Sequence, residues 1–274
     1  MPEPADRPVD RKVQVRCHEL APVIGDRDGN LRVIDDAVQD AMAAGCQLLV
    51  LPELATSGYH LTAEEARAAA LPASSPVLER WARLLRPDAV LVVGFAEASD
   101  DGIYNSAAVL AGHGVFAVYR KTHLWDAEKD VFTPGQVAAG VLETPVGPLG
   151  TLLCYDLEFP EMPRRLALAG AEILAVPTNW PVVSTPPGEH PPEVVQAMAA
   201  ARASQVVIAC CDRRGEERGE QWTQGTVVVG ADGWLRGKRD DQGRLDVAVD
   251  LLANRSALST RNNVYGDRRP ELYR

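Results

Sequence analysis

Three residues of this 274-residue chain carry chemistry suited to attack on an acyl carbon, and each stands just past an apolar run. Cys154 follows Thr151-Leu152-Leu153, and a polar turn containing Pro160 comes next. A thiol at the end of a strand and just before a helix meets backbone N–H groups and the positive end of the helix dipole. Both favour a thiolate. Glu53 and Lys121 end two other apolar runs, over 47–51 and 115–120. A cysteine attacking an acyl carbon needs a base for its proton, a proton donor for the leaving amine and positive charge near the oxyanion. Glu53 can move the proton both ways. Lys121 can supply the charge and stabilise the thiolate, with the backbone N–H of Tyr155 as a second oxyanion donor. Asn179 and Trp180 follow a fourth run, over 172–176. Strand ends on one edge of a sheet converge, and α/β proteins bind ligands there.

Each residue also has a plainer reading. A cysteine ending a strand is commonly a small buried hydrophobe, the reading kept for Cys17, Cys46, Cys210 and Cys211. Glu53 alone would read as a solvated loop residue or a cap, and Lys121 as an edge charge. A Cys154–His123 dyad is chemically sensible and ranks second to the triad. Asp156 and Glu158 read as caps of the helix that follows.

The elements that must position these residues alternate. Strands are expected at 12–17, 47–51, 89–95, 172–176 and 205–211. Hairpins are expected over 105–120 and over 141–154. Helices are expected at 31–44, with Asp28 or Asn30 as cap, and at 76–86, 164–168 and 193–204. The loop after Glu53 runs through Gly58 and Tyr59, which makes Tyr59 a candidate substrate contact. Helices alternating with strands imply an α/β layer protein with helices outside. No linker splits the chain. We expect a disordered lead-in over 1–11, one domain over 12–258 and a polar tail over 259–274.

Apolar residues make up 46% and charged residues 24%, an ordinary globular balance, and the formal net charge is -10. That charge argues against a nucleic-acid or anionic-membrane surface, which would need clustered Lys and Arg. No apolar run approaches the roughly 18 residues of a spanning helix. The N-terminal stretch has no apolar core of a signal peptide, so reduced thiols and a cytoplasmic location are expected. Neither a CxxC pair nor an HxxxH pair occurs, so no metal site is expected.

Taken together, Leu51-Pro52-Glu53-Leu54, Tyr119-Arg120-Lys121-Thr122-His123-Leu124 and Cys154-Tyr155-Asp156-Leu157-Glu158-Phe159-Pro160-Glu161 resemble, in order and spacing, the three catalytic motifs of the nitrilase superfamily. The resemblance runs from about Val13 into the tail. It implies a Glu53–Lys121–Cys154 triad, with Glu53 as general base and acid, Lys121 as oxyanion stabiliser and Cys154 as nucleophile. It implies a single-domain, four-layer αββα sandwich, assembly into homodimers or larger oligomers, and no metal or organic cofactor. It also implies a second glutamate ahead of Phe132-Thr133-Pro134-Gly135. That role falls to Glu128, with Asp130 as fallback. The 177–180 segment is similar to a substrate-lining loop, which implies that Asn179 and Trp180 lie near the acyl group.

The Cys-Tyr-Asp start with Phe-Pro-Glu resembles the amidase branch. The tail Asn263–Tyr273 resembles bacterial amidases acting on small aliphatic amides, including 5-aminopentanamide, and departs from them at Val264-Tyr265-Gly266. Hydrolysis of a small aliphatic carboxamide through a thioester is therefore expected. The alternatives are an N-carbamoyl amine hydrolase, a nitrilase, or a non-catalytic binding protein on the same fold.

Overall fold

Runs that are apolar on both faces fold as two stacked sheets in a computed structural model, which describes residues 11–252 and 257–273. The first half of the chain carries β1 (Arg11–His18), α1 (Arg27–Ala43), β2 (Leu48–Val50), α2 (Ala63–Ala69), β3 (Leu71–Pro72), α3 (Pro76–Leu84), β4 (Val90–Ser99), β5 (Gly102–Ala111), β6 (Gly114–Arg120) and the single turn α4 (Glu128–Val131). Then come β7 (Val141–Thr144), β8 (Gly147–Thr151), a 3-10 turn (Cys154–Glu158), α5 (Glu161–Leu168), β9 (Ile173–Pro177), α6 (Pro192–Ser204) and β10 (Val207–Cys211). Short β11 (Glu216–Glu217) and β12 (Glu220–Gln221), then β13 (Val227–Val229), β14 (Leu235–Arg236), β15 (Arg244–Leu251) and a 3-10 turn (Pro270–Leu272) complete it.

The first sheet runs β15-β1-β2-β4-β5-β6, with β3 beside β4. The second runs β14-β13-β10-β9-β8-β7. Each has a parallel centre (β1, β2 and β4; β8, β9 and β10) and antiparallel edges. Ile34, Val38, Leu78 and Trp81 of α1 and α3 cover the outer face of the first sheet. Leu166 of α5 and Val194, Ala197 and Ala201 of α6 pack in the core of the second. The expected αββα sandwich is the observed one. The small alanines of α6 let that helix lie close to its sheet. No helix among the described residues is long and apolar enough to cross a membrane.

Several local expectations change for physical reasons. α1 starts a turn early because Asp26 accepts from Gly29 N–H at 2.9 Å. Asn30, an expected cap, instead lies inside the helix. Its side chain bonds both backbone groups of Val23 and the carbonyl of Thr56. α2 was not expected; a reciprocal cap between Thr62 and Glu65 starts it. Arg11 belongs to β1 rather than to a lead-in, and its guanidinium reaches Glu172, just ahead of β9 in the second sheet. The rest of that lead-in, and part of the expected domain boundary, fall outside the described residues. In the tail, Tyr265 donates to the Ser204 carbonyl at 2.6 Å and its ring lies under Arg164, so this segment packs on α5 and α6 of its own chain.

β4 outlasts β2 at its carboxyl end, and this positions Glu53. Gly94 N–H donates to the Pro52 carbonyl, and Ala55 N–H donates to the Gly94 carbonyl. A Cβ on Gly94 would come within 2.5 Å of the Glu53 Cα and 2.6 Å of the Leu54 nitrogen. Only glycine lets the two backbones approach so closely. Gly94→Ala should therefore cost about 1–3 kcal/mol, as overpacking does, and should displace Glu53. Urea unfolding monitored by circular dichroism measures the first effect. A variant as stable as the parent would contradict this account.

Candidate active site

The three motif residues stand where strand ends of the two sheets meet. Glu53 lies three residues past β2, Lys121 one past β6, and Cys154 three past β8. Lys121 and Glu53 are completely buried. The Lys121 ammonium donates to Glu53 Oε1 at 2.7 Å and to Glu128 Oε1 at 2.8 Å. Asn105, on β5, adds a donor to Glu53 Oε1 at 2.8 Å. Glu128 opens α4, and its second oxygen accepts from Trp125 N–H. Asp130 is exposed, so the choice between the two acids falls on Glu128.

Glu53 Oε2 is buried and has no hydrogen-bond partner among the described residues. That oxygen is free to take a proton. Burial pushes the Glu53 carboxyl up to about 7; the Lys121 ammonium opposes that shift and the Glu128 carboxylate adds to it. Burial works against the Lys121 charge, but Glu128 and Glu53 outweigh it and hold the ammonium firmly protonated. Burial and the adjacent Glu53 push the Cys154 thiol well above its ordinary value, against the pull of Lys121. The expected thiolate is thus replaced by a resting thiol. The turn after it is only a five-residue 3-10 segment, and its dipole does not offset desolvation.

Cys154 takes the left-handed backbone conformation, φ +44°, and the strand expected to reach it ends at Thr151, with Leu153 still extended. The positive φ is strain at a non-glycine residue. The partner that holds the turn is Asp156, which is fully buried. One of its oxygens accepts from Leu153 N–H and Tyr119 Oη; the other accepts from Thr122 Oγ1 and His123 N–H and bonds His123 Nδ1 at 2.7 Å. Asp156 therefore ties the Lys121 loop to the Cys154 turn instead of capping the next helix. The same contacts answer the dyad alternative. The His123 ring is held by Asp156 and stacks on Phe159 at 3.8 Å.

Asn179 donates from Nδ2 to the Glu53 carbonyl at 2.9 Å, and its own carbonyl lies 3.8 Å from Cys154 Sγ. It thus touches two of the three motifs. Trp180 is buried in the core between the layers, with its N–H on Asp212. The Tyr155 ring packs edge-on against Trp125 and Phe159. Its amide lies in the first turn of the 3-10 segment, where N–H groups have no partner within the helix. Tyr59 is nearly buried. Burial raises its phenol, and the neighbouring Glu128, Glu53 and Cys154 raise it further.

A cavity of about 230 Å³ reaches this cluster at Glu128. Tyr59, Leu61, Trp125, Phe132 and Trp222 form its apolar walls. Asn105 and Trp222 have no place among the sequence expectations, and Asp156 enters them only as a cap. Asn105 left one signal, a polar side chain inside an apolar strand. Among the described residues, no group of three or more His, Cys, Asp or Glu side chains could hold a metal ion.

This fold and this buried acid–ammonium–thiol cluster define a class, and comparison with known proteins agrees with it. The Carbon-nitrogen hydrolase family model matches residues 14–252. The chain belongs to that family, within the nitrilase superfamily, and is a hydrolase of carbon–nitrogen bonds. It is 29% identical over 271 residues to a nitrilase of Pyrococcus abyssi, covering 95% of this chain and 99% of that protein. It is 35% identical over 204 residues to an (R)-stereoselective amidase of Pseudomonas sp., covering 74% and 72%. Among solved structures it resembles an amidase from Nesterenkonia sp. AN1. A form of that amidase carrying the Michael adduct of acrylamide at its active-site cysteine matches with TM-score 0.74, 30% identity and 96% and 98% coverage. A cysteine-to-alanine form in complex with butyramide matches with TM-score 0.73, 30% identity and 96% and 95% coverage.

A buried, protonated thiol has a spectroscopic signature. Cys154→Ser should leave the thiolate absorbance near 240 nm unchanged at pH 7. Loss of one thiolate's absorbance would show an ion pair at rest.

Proposed function

We propose that the protein hydrolyses a small aliphatic carboxamide to its acid and ammonia through a thioester on Cys154. The observation that carries this reading is the Lys121 ammonium clamped between Glu53 and Glu128, with the Cys154 thiol beside them. Glu53 takes the Cys154 proton as sulfur attacks the amide carbon. The carbonyl electrons move onto oxygen, where the Lys121 ammonium and the Tyr155 N–H stabilise them. As the intermediate collapses, the C–N bond breaks and Glu53 protonates the departing nitrogen. Water then attacks the thioester with Glu53 as base, the C–S bond breaks, and the thiol is restored. Glu128 keeps Lys121 charged and aimed. Asn179 orients the Glu53 backbone and lies beside the sulfur.

The substrate class rests on the cavity. Its 230 Å³ lies below the roughly 300–1,000 Å³ of drug-sized pockets, and its walls are largely aromatic and aliphatic. A short apolar acyl chain suits those walls. The butyramide complex of the Nesterenkonia amidase supports the same class. An assay with acetamide, propionamide, butyramide, N-carbamoyl amines and aliphatic nitriles tests the reading. Ammonia should come from the amides, and Cys154→Ala should lower kcat at least about 10³-fold with an unchanged circular dichroism spectrum. Turnover confined to carbamoyl compounds, with CO2 released, or to nitriles would replace the amide reading.

The pH dependence follows from Glu53, which acts as base only when ionised. Its carboxyl is raised to about 7, so kcat/KM should fall as the pH drops through that value. A limb near the ordinary glutamate value of about 4.3 would assign the base to another group.

A further inference from the structure

We infer that a buried ion pair outside the catalytic cluster, Arg213–Glu217, is a clamp that sets the position of Tyr59 and with it the wall of the substrate cavity. Glu217 sits on β11, and Arg213 follows β10. Arg213 is 1% exposed and Glu217 7%. Arg213 Nη1 donates to Glu217 Oε2 at 2.7 Å, and Nη2 donates to the Pro22 carbonyl at 3.1 Å. The other Glu217 oxygen, Oε1, accepts from two successive backbone amides, Tyr59 N–H at 2.9 Å and His60 N–H at 2.7 Å. A carboxylate that accepts two amides of one turn fixes the direction of that turn. The preceding residue is shaped to let it in. Gly58 has φ +85°, and a Cβ there would stand 2.6 Å from Glu217 Oε2.

The clamp has a second arm. The Arg213 guanidinium lies 4.8 Å from the centre of the Trp222 ring, which meets Tyr59 edge-on at 5.4 Å. One buried cation thus braces both aromatic walls, one through Glu217 and the backbone, the other through a ring face. Neither charged side chain belongs to the cluster around Lys121. A buried ion pair contributes little net stability compared with an apolar pair of similar shape, so its presence here calls for another role. Placing Tyr59 is that role. Arg213 and Glu217 are positioning residues, and their consequence for substrate rests on the amide reading above.

The test separates the clamp from mere stability by removing both charges together. In Arg213→Met/Glu217→Met no buried charge is stranded, but the two amides lose their acceptor. In Arg213→Met/Glu217→Gln the acceptor oxygen returns without the cation. Hydrogen exchange at Tyr59 and His60 should quicken at least about tenfold in the first variant and return to within about threefold in the second. KM for butyramide should rise about tenfold in the first, with kcat changed less than about threefold, and should recover only in part in the second, where the Trp222 arm is still missing. Unchanged exchange in the first variant would overturn the clamp. Faster exchange with unaltered KM would overturn its link to the cavity wall. Loss of the amide reading would show separately, as an unmodified protein that leaves butyramide intact, and the exchange measurement would still decide the clamp.

Discussion

One ammonium buried between two carboxylates governs this molecule. Lys121 has no contact with solvent, and neither does Glu53. Such a charge is tolerated inside a protein only when its partners are in place, because removing one leaves an uncompensated ion in a low-dielectric interior. The three segments that carry Glu53, Lys121 and Glu128 are therefore bound to each other by electrostatics as well as by packing. With all three ionised, two negative charges face one positive charge. Burial raises the Glu53 carboxyl to about 7 against the pull of Lys121, with Glu128 adding to the rise, which suits a group that must both accept and return a proton.

The sandwich supplies the geometry that this cluster needs. Both sheets have parallel centres, so the carboxyl ends of β2, β8 and β9 are set by the same crossover logic. The antiparallel meander β4-β5-β6 brings Lys121 and Asn105 to the first sheet's share of the site. Two buried aspartates then stitch the loops. Asp156 joins the Lys121 loop to the Cys154 turn. Asp212 accepts from the N–H groups of Trp180, Arg213 and Gly225, and burial still pushes it up to about 7 against those three bonds. Left-handed backbone occurs at six non-glycine residues among those described, and two of them, Leu54 beside Glu53 and Cys154 itself, lie at this site.

The legible part of the chain was its periodicity and its strand ends. The strands, the covering helices, and the positions of Glu53, Lys121 and Cys154 follow from apolar runs and periods, several of which stop at a reactive side chain; the division of the strands into two stacked sheets came only with the resemblance. Helix starts were less legible. Asp26, Asp28 and Asn30 are all good caps by type, and the choice fell to Asp26 because Asn30 was needed to hold Val23 and Thr56. Asp156 was misread for a related reason. A carboxylate two residues after the cysteine suits a cap, and nothing local reveals that His123, Thr122 and Tyr119 arrive beside it from a different strand. The thiolate expectation failed on burial, which no pattern of neighbouring residues reports.

By itself, the sequence determined the family, through its three motifs, and the alternation of strands and helices, because each is written as a local pattern: a period, a motif, or a residue ending a run. The αββα layering and the roles of Glu53, Lys121 and Cys154 came only as what the resemblance implies. The tertiary structure decided what those groups are at rest and who holds them. The protonation of Cys154, the choice of Glu128 over Asp130, the donation of Asn105 to Glu53 and the seating of Tyr59 on Glu217 depend on distances between residues far apart in the chain and on exclusion of water. Desolvation and long-range contact are properties of the packed molecule, so they first appear when the sheets close on one another.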